Sequence, residues 1–201
     1  MKRAVLPTLT LLGLLLAWEL LVRGAGIPDY TLPAPSRVAA SLYEHAASLG
    51  ASWWVTLKIT FGALALACAG GVLIAAAFAL MPTLERALLP VAVILQVTPI
   101  VAIAPLILIY VESTAAALLL CAWIVAFFPI LSNTVIGLRA TDPQLRALFK
   151  LYRATPWQQL ALLRAPSALP YFLAGLKVSG GLSLIGAVTA EMVAGAAGRD
   201  T

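Results

Sequence analysis

Five stretches of this chain each run for about 20 residues with no more than two charges, and that feature confines what it can fold into. A helix rises about 1.5 Å per residue, so about 20 apolar residues cross the hydrocarbon core of a bilayer. The stretches cover residues 4–22, 59–81, 87–111, 114–138 and 171–194. The remainder cannot supply a wetted surface, because 62% of the 201 residues are apolar and only 10% charged, where soluble domains carry about 25% charge. The expected fold is an all-α membrane protein, one transmembrane domain over 1–201 with five spanning helices. Disorder, a nucleic-acid module and almost any soluble enzyme are excluded.

The first stretch follows Lys2 and Arg3 and looks like a signal peptide, but no clean small-x-small cleavage site follows within the usual distance and four more spans do. It is read as a retained helix. Residues 23–58 then form a long connection. A Pro-rich start, Pro28 to Pro35, leads into Val38, Leu42 and Ala46 on one helical face, and Trp53-Trp54 stand before the second span. This predicts an amphipathic surface helix and an interfacial aromatic anchor. Pro90, Pro99 and Pro105 in the third span predict a bent helix packed within protein, possible only where neighbours satisfy the freed carbonyls. With the N-terminus inside, Lys2, Arg3, Arg86, Arg139, Arg146, Lys150, Arg153 and Arg164 lie inside. Arg23, Arg37, Lys58 and Arg199 lie outside, and Lys177 falls within a span. Eight basic residues against four predict a cytoplasmic N-terminus.

Residues 139–170 are then the longest cytoplasmic segment and read as two short helices. Asp142-Pro143 and Thr155-Pro156 each supply an N-cap followed by proline at a first-turn position. Leu145, Leu148, Phe149 and Tyr152 form an amphipathic stripe with Arg146, Lys150 and Arg153 around it. The second helix carries Trp157, Leu160, Leu163 and Arg164 and is expected to stop at Pro166, with Pro170 breaking the chain again. Such a hairpin either docks a cytoplasmic partner or lies as an interfacial elbow with its stripe in lipid.

The segment resembles the cytoplasmic loop of ABC-importer permeases, E-A-A-x3-G-x9-I-x-L-P. Arg153 stands at the glycine, Leu163 at the isoleucine, Pro166 at the proline, and Ala147, Leu148 and Phe149 where E-A-A would be. Trp157-Gln158, Leu169-Pro170, and the stretches 32–36 (LPAPS), 99–106 (PIVAIAPL) and 127–134 (FFPILSNT) resemble the nitrate/sulfonate/taurine branch of the binding-protein-dependent transport system inner membrane components. The glutamate is absent, Ala165 replaces the leucine, and Arg153 in place of glycine predicts either a nearly continuous helix or an altered dock. Permeases of this branch carry six spans, so a chain of five reads as cut short at its C-terminal end.

What the resemblance implies is a multi-pass subunit of the bacterial inner membrane that hydrolyses nothing itself and needs no cofactor. Two copies would form the pore for a small polar solute. A cytoplasmic ABC ATPase dimer would bind the loops, and a periplasmic or tethered binding protein would deliver the solute. The solute is expected to be an anion, with a pyrimidine or other thiamine-precursor type as the alternative. The loop residues assigned to ATPase coupling are Ala147, Leu148, Phe149, Lys150, Arg153, Ala154, Thr155, Pro156, Trp157, Leu163 and Pro166. Nothing resembles a phosphate-binding glycine loop, so ATP belongs to another chain. Two other classes stay open: a secondary transporter driven by an ion gradient, for which midplane acids and inverted repeats are missing, and a non-transporting scaffold.

Candidates for the translocation path or for helix packing are Pro99, Pro105, Asn133, Gly175, Ser179, Ser183 and Glu191. Gly175, Ser179, Ser183 and Ala187 recur every four residues, a stripe that lets helices approach closely or lines a polar path. Asn133 is expected to bond across helices or to satisfy a carbonyl freed by Pro129. Glu191, Glu19 and Glu112 sit at outer boundaries, and Lys177 can snorkel to the cytoplasmic surface. Cys68 and Cys121 read as small apolar fillers, and with a lone His45 no metal site is expected.

Overall fold

The computed structural model describes residues 2–196, the side chains of residues 2–4 and Leu95 excepted. Arg199 and the chain beyond Ala196 therefore lie outside the described residues, as do the side chains of Lys2 and Arg3. Among the described residues every regular element is helical. The chain divides at Trp53 and Trp54 into two compact units.

The first unit holds α1 (Lys2–Gly24) and α2 (Pro35–Glu44). Helix α1 closes in a Schellman turn: Ile27 N–H donates to the Val22 carbonyl and Gly26 N–H to that of Arg23, with Gly26 at φ +62°. The N-cap of α2 is Ala34, which has no side chain to offer the first turn. Glu19 fills that role from α1. Its carboxylate accepts the Ser36 N–H at 3.0 Å and the Ser36 hydroxyl at 2.7 Å, while pairing with Arg23. The negative charge also suits a helix N-terminus.

Helix α3 (Ala46–Leu80) starts 13 residues before the predicted second span, so 23–58 is not one long connection. No proline stands between Pro35 and Pro82, and the Ala-rich run from Ala46 carries only Gly50 against it. The helix therefore extends back through Trp53-Trp54. The bend falls at His45, which separates α2 from α3, so Ala46 does not share a helix with Val38 and Leu42.

The second unit continues with α4 (Pro82–Val97), α5 (Ile100–Tyr110), α6 (Thr114–Arg139), α7 (Pro143–Leu151), α8 (Pro156–Gln159), a π-helical turn (Leu160–Arg164) and α9 (Ala165–Ala196). Its core has two ends. At one end Phe78 of α3, Leu131 and Leu138 of α6 and Ala168 of α9 come together. At the other, Ile59 of α3, Leu108 of α5, Leu118 of α6 and Ala190 of α9 do so. Helices α3, α4–α5, α6 and α9 thus run through this unit in alternating directions, and α6 is its most buried helix. Among the described residues, four helical stretches are each long and apolar enough to cross a membrane: Val5–Gly24, Ala46–Leu80, Thr114–Arg139 and Pro156–Ala196.

The predicted third span, 87–111, is not one helix. Among its three prolines only Pro99 breaks the chain, with Pro90 inside α4 and Pro105 inside α5. The residues before the prolines decide this. Pro90 follows Leu89 and Pro105 follows Ala104, whereas Pro99 follows Val97-Thr98. A residue before proline is pushed out of the α region, and a β-branched one resists that region already. Two further expectations are corrected. Neither Pro166 nor Pro170 breaks the chain, which stays helical from Pro156 to Ala196. The π turn accounts for Pro166, because Ala165 N–H reaches back five residues to the Leu160 carbonyl. That wider turn relieves the clash a proline ring makes with the carbonyl four residues earlier.

Candidate functional site

The loop 139–170 builds its hairpin from local signals. Asp142 caps α7, its carboxylate accepting the Gln144 N–H at 2.7 Å, and Pro143 opens the first turn. Helix α8 opens with a capping box: Thr155 Oγ1 accepts the Gln158 N–H, and Gln158 Oε1 accepts the Thr155 N–H at 2.8 Å. Between them α7 ends in a second Schellman turn. Ala154 N–H donates to the Phe149 carbonyl and Arg153 N–H to that of Lys150. Arg153 holds φ +52°, so the nearly continuous helix expected from an arginine at this position does not form. Thr155 precedes Pro156 and is held extended at ψ 158°, so α7 must end before it.

This turn displays the loop's apolar stripe. Leu148 is 45% exposed and Trp157 67%, while Phe149 and Ala154 are half-buried. Ala147, Lys150, Arg153, Thr155, Pro156 and Pro166 are exposed. Leu163 differs, being buried with Leu160 against the core. The structure thus brings together ten of the eleven loop residues on accessible or half-accessible positions and turns one inward.

Beneath the hairpin lies a group of basic side chains tied to helix ends. Arg164, in the π turn, donates Nε–H to the Leu138 carbonyl at 3.1 Å and Nη1–H to the Ala79 carbonyl at 2.8 Å. Arg146 of α7 donates from Nη2 to the carbonyls of Leu138 and Arg139. Arg139 in turn pairs with Glu85 of α4, whose side chain is only 12% exposed. Leu138 and Ala79 lie in the last turns of α6 and α3, where carbonyls have no later helical N–H to accept. Cations there also meet the negative end of the helix dipole. From the sequence, Arg139 reads as a basic residue of one side, Arg164 as that and as part of the second loop helix, and Glu85 carries no signal. No local signal marks these contacts, since Arg164 reaches partners 26 and 85 residues away.

The other candidates do not gather into one site. Pro99, at the break, lines a cavity of about 300 Å³ with Gln96, Thr98, Phe128, Pro129 and Leu182. Pro105 is exposed on α5. Ser179 and Ser183 are fully buried, and Ser179 donates to the Ala126 carbonyl at 2.7 Å. A Cβ on Gly175 would stand 2.9 Å from the Pro129 carbonyl oxygen. Asn133 Nδ2 donates to the Pro129 carbonyl at 2.8 Å. That is the proline's own carbonyl; the one deprived of a donor by Pro129 is Val125, four residues earlier. At the far end Glu191 accepts the Thr56 hydroxyl at 2.8 and 3.1 Å, tying α9 to α3.

Known proteins resemble this chain over most of its length. A family model described as "binding-protein-dependent transport system inner membrane component" matches residues 67–200. The riboflavin transport system permease protein of Chloroflexus aurantiacus is 35% identical over 94% of this chain and 71% of its own length. The formylaminopyrimidine transport permease protein of Halalkalibacterium halodurans is 34% identical over 95% and 78%. A nitrate import permease protein of Synechocystis is 25% identical over 98% and 74%.

Proposed function

This chain belongs to the family of binding-protein-dependent transport system inner membrane components, and from that premise we propose how it works as a permease subunit of an ABC importer. The family's permease subunits are not themselves enzymes. The chain is a multi-pass membrane protein in which two copies enclose the path. A cytoplasmic ATPase dimer supplies the energy, and a substrate-binding protein outside delivers the solute. Its N-terminus and the α7–α8 hairpin face the cytoplasm, which the basic residues support: Arg86, Arg139, Arg146, Lys150, Arg153 and Arg164 cluster at the hairpin's end of the second unit, against Lys58 at the other.

The observation that carries this reading is the hairpin itself. Two capped helices joined by a Schellman turn hold Leu148 and Trp157 outward, half-bury Phe149, and ring them with Lys150 and Arg153. Apolar anchors with a basic rim suit a groove on an ATPase edged by acidic residues. Nucleotide-driven motion there would shift the permease between inward- and outward-open states by differential contacts. The cavity at the α4–α5 break, lined by Gln96, Thr98 and Pro99, is the proposed part of the path in this chain. Broken helices at membrane depth occur where backbone lines a cavity or is buried in protein.

For the solute, the relatives named for riboflavin and formylaminopyrimidine, at 34–35% identity, support a heterocyclic vitamin or vitamin precursor ahead of nitrate or a sulfonate. The test is reconstitution of this chain with its ATPase and binding protein in liposomes. ATP-dependent uptake of riboflavin or a formylaminopyrimidine, exceeding that of nitrate, is expected. Uptake of nitrate alone would reverse the substrate assignment. Co-purification of the ATPase should be lost on Leu148→Asp or Trp157→Ala while membrane insertion persists, and retention by both variants would refute the hairpin dock.

A further inference from the structure

We propose that Arg164 is a positioning residue that fastens the α7–α8 hairpin to the ends of α3 and α6, so that a displacement of the hairpin becomes a displacement of two spanning helices. This rests on the importer reading and assigns the linkage to one side chain. The hairpin's apolar contacts with the core, through Leu160 and Leu163, are non-directional. Hydrogen bonds to fixed carbonyls are directional. Arg164 makes two, from different nitrogens, to carbonyls on two different helices. A guanidinium presents Nε–H and Nη–H along fixed directions in one plane, whereas a lysine offers a single compact ammonium.

The surroundings fit a joint better than a binding site. The space between Ala75, Phe78, Glu85, Leu138, Arg139 and Arg164 is about 10 Å³, at or below what one water needs. Glu85 pairs with Arg139 and carries the same network to α4. Arg146 ties α7 to the end of α6 through the Leu138 and Arg139 carbonyls. Both arms of the hairpin therefore end on α6, and only Arg164 among these contacts also reaches α3.

The experiment uses the whole transporter in liposomes, with wild-type, Arg164→Lys and Arg164→Ala chains. Three quantities are read: ATPase co-purification, ATP hydrolysis, and solute imported per ATP hydrolysed. Because Leu148, Phe149 and Trp157 are untouched, Arg164→Lys should retain the ATPase and hydrolyse ATP within about twofold of wild type, while import per ATP falls at least tenfold. Arg164→Ala should fall as far or further. An unchanged ratio in Arg164→Lys would overturn the proposal. So would failure of Arg164→Lys to assemble, which would make Arg164 a folding determinant only. A wild-type chain without ATP-driven uptake would instead strike the importer reading, an outcome separate from these.

Discussion

Arg153 closes α7 at φ +52°, the same position in the same motif that Gly26 occupies at φ +62° after α1. Glycine holds that conformation freely, and any L residue with a side chain is strained there by about 1–2 kcal/mol. The strain at Arg153 is set against Thr155-Pro156, which fixes where the next helix begins. Both signals are legible in the sequence, but Arg153 alone leaves a nearly continuous helix and an altered dock both open, and only the fixed start at Thr155-Pro156 decides between them. Arg153→Gly should therefore stabilise the protein by about 1 kcal/mol, strain relief exceeding glycine's added chain entropy. In detergent the melting temperature should rise by about 2–4 °C. Arg153→Val, β-branched at a positive φ, should lower it. Glu191 shows the opposite limit. Its position near a span boundary was legible, yet its partner Thr56 lies 135 residues away, and no local pattern announces such a pair. A hydrogen bond contributes about 0.5–1.5 kcal/mol net. Thr56→Val should thus lower the melting temperature measurably, and an unchanged value would show that the contact contributes nothing.

Helices α6 and α9 are held at contact distance by what their sequences lack. The four-residue stripe Gly175, Ser179, Ser183 and Ala187 was visible in α9, and those residues now lie buried. Its counterpart on α6 was not visible: Gly137 meets Ala168, where an added Cβ would stand 2.8 Å from the Ala168 Cα. A lone glycine near a helix end carries no periodicity, so only the packed pair shows its use. The glycines of α9 offer an internal control. At Gly175 a methyl would press on the Pro129 carbonyl and Asn133, while at Gly180 nothing lies within 4 Å. Gly175→Ala should destabilise by about 1–3 kcal/mol through overpacking against backbone. Gly180→Ala should be neutral or stabilise by up to about 1 kcal/mol from helix propensity. Equal effects in thermal melts would mean that the α6–α9 contact yields easily. The α4–α5 break has the same character. Three prolines were legible, but which one breaks the helix depended on the residue before each.

At the scale of the whole molecule, the broken pair α4–α5 decides how many times the chain crosses the membrane. Neither half is by itself a spanning helix, yet Glu85 at the start of α4 pairs with Arg139 at the end of α6, while Leu108 near the end of α5 packs with Leu118 at the start of α6. The pair therefore travels the length of α6 in the opposite sense, as a single crossing in two pieces would. If so, the α3–α4 junction and the α7–α8 hairpin share a side, and the α5–α6 junction lies across from both. Single cysteines at Met81, Glu112 and Gln144, in a chain whose Cys68 and Cys121 are replaced by alanine, report this directly. All three positions are exposed. A membrane-impermeant maleimide added to intact cells should label Glu112→Cys at once, and Met81→Cys and Gln144→Cys only after permeabilisation. The basic cluster around Arg139, Arg146 and Arg164 would then face the cytoplasm. The reverse pattern would invert the orientation and place the hairpin beyond any ATPase. Labelling of Met81→Cys and Glu112→Cys from the same side would mean that α4–α5 dips into the bilayer and returns. The Glu85–Arg139 pair and the clustering of Leu108 with Leu118 could not then both persist, because they tie the two ends of α4–α5 to opposite ends of α6.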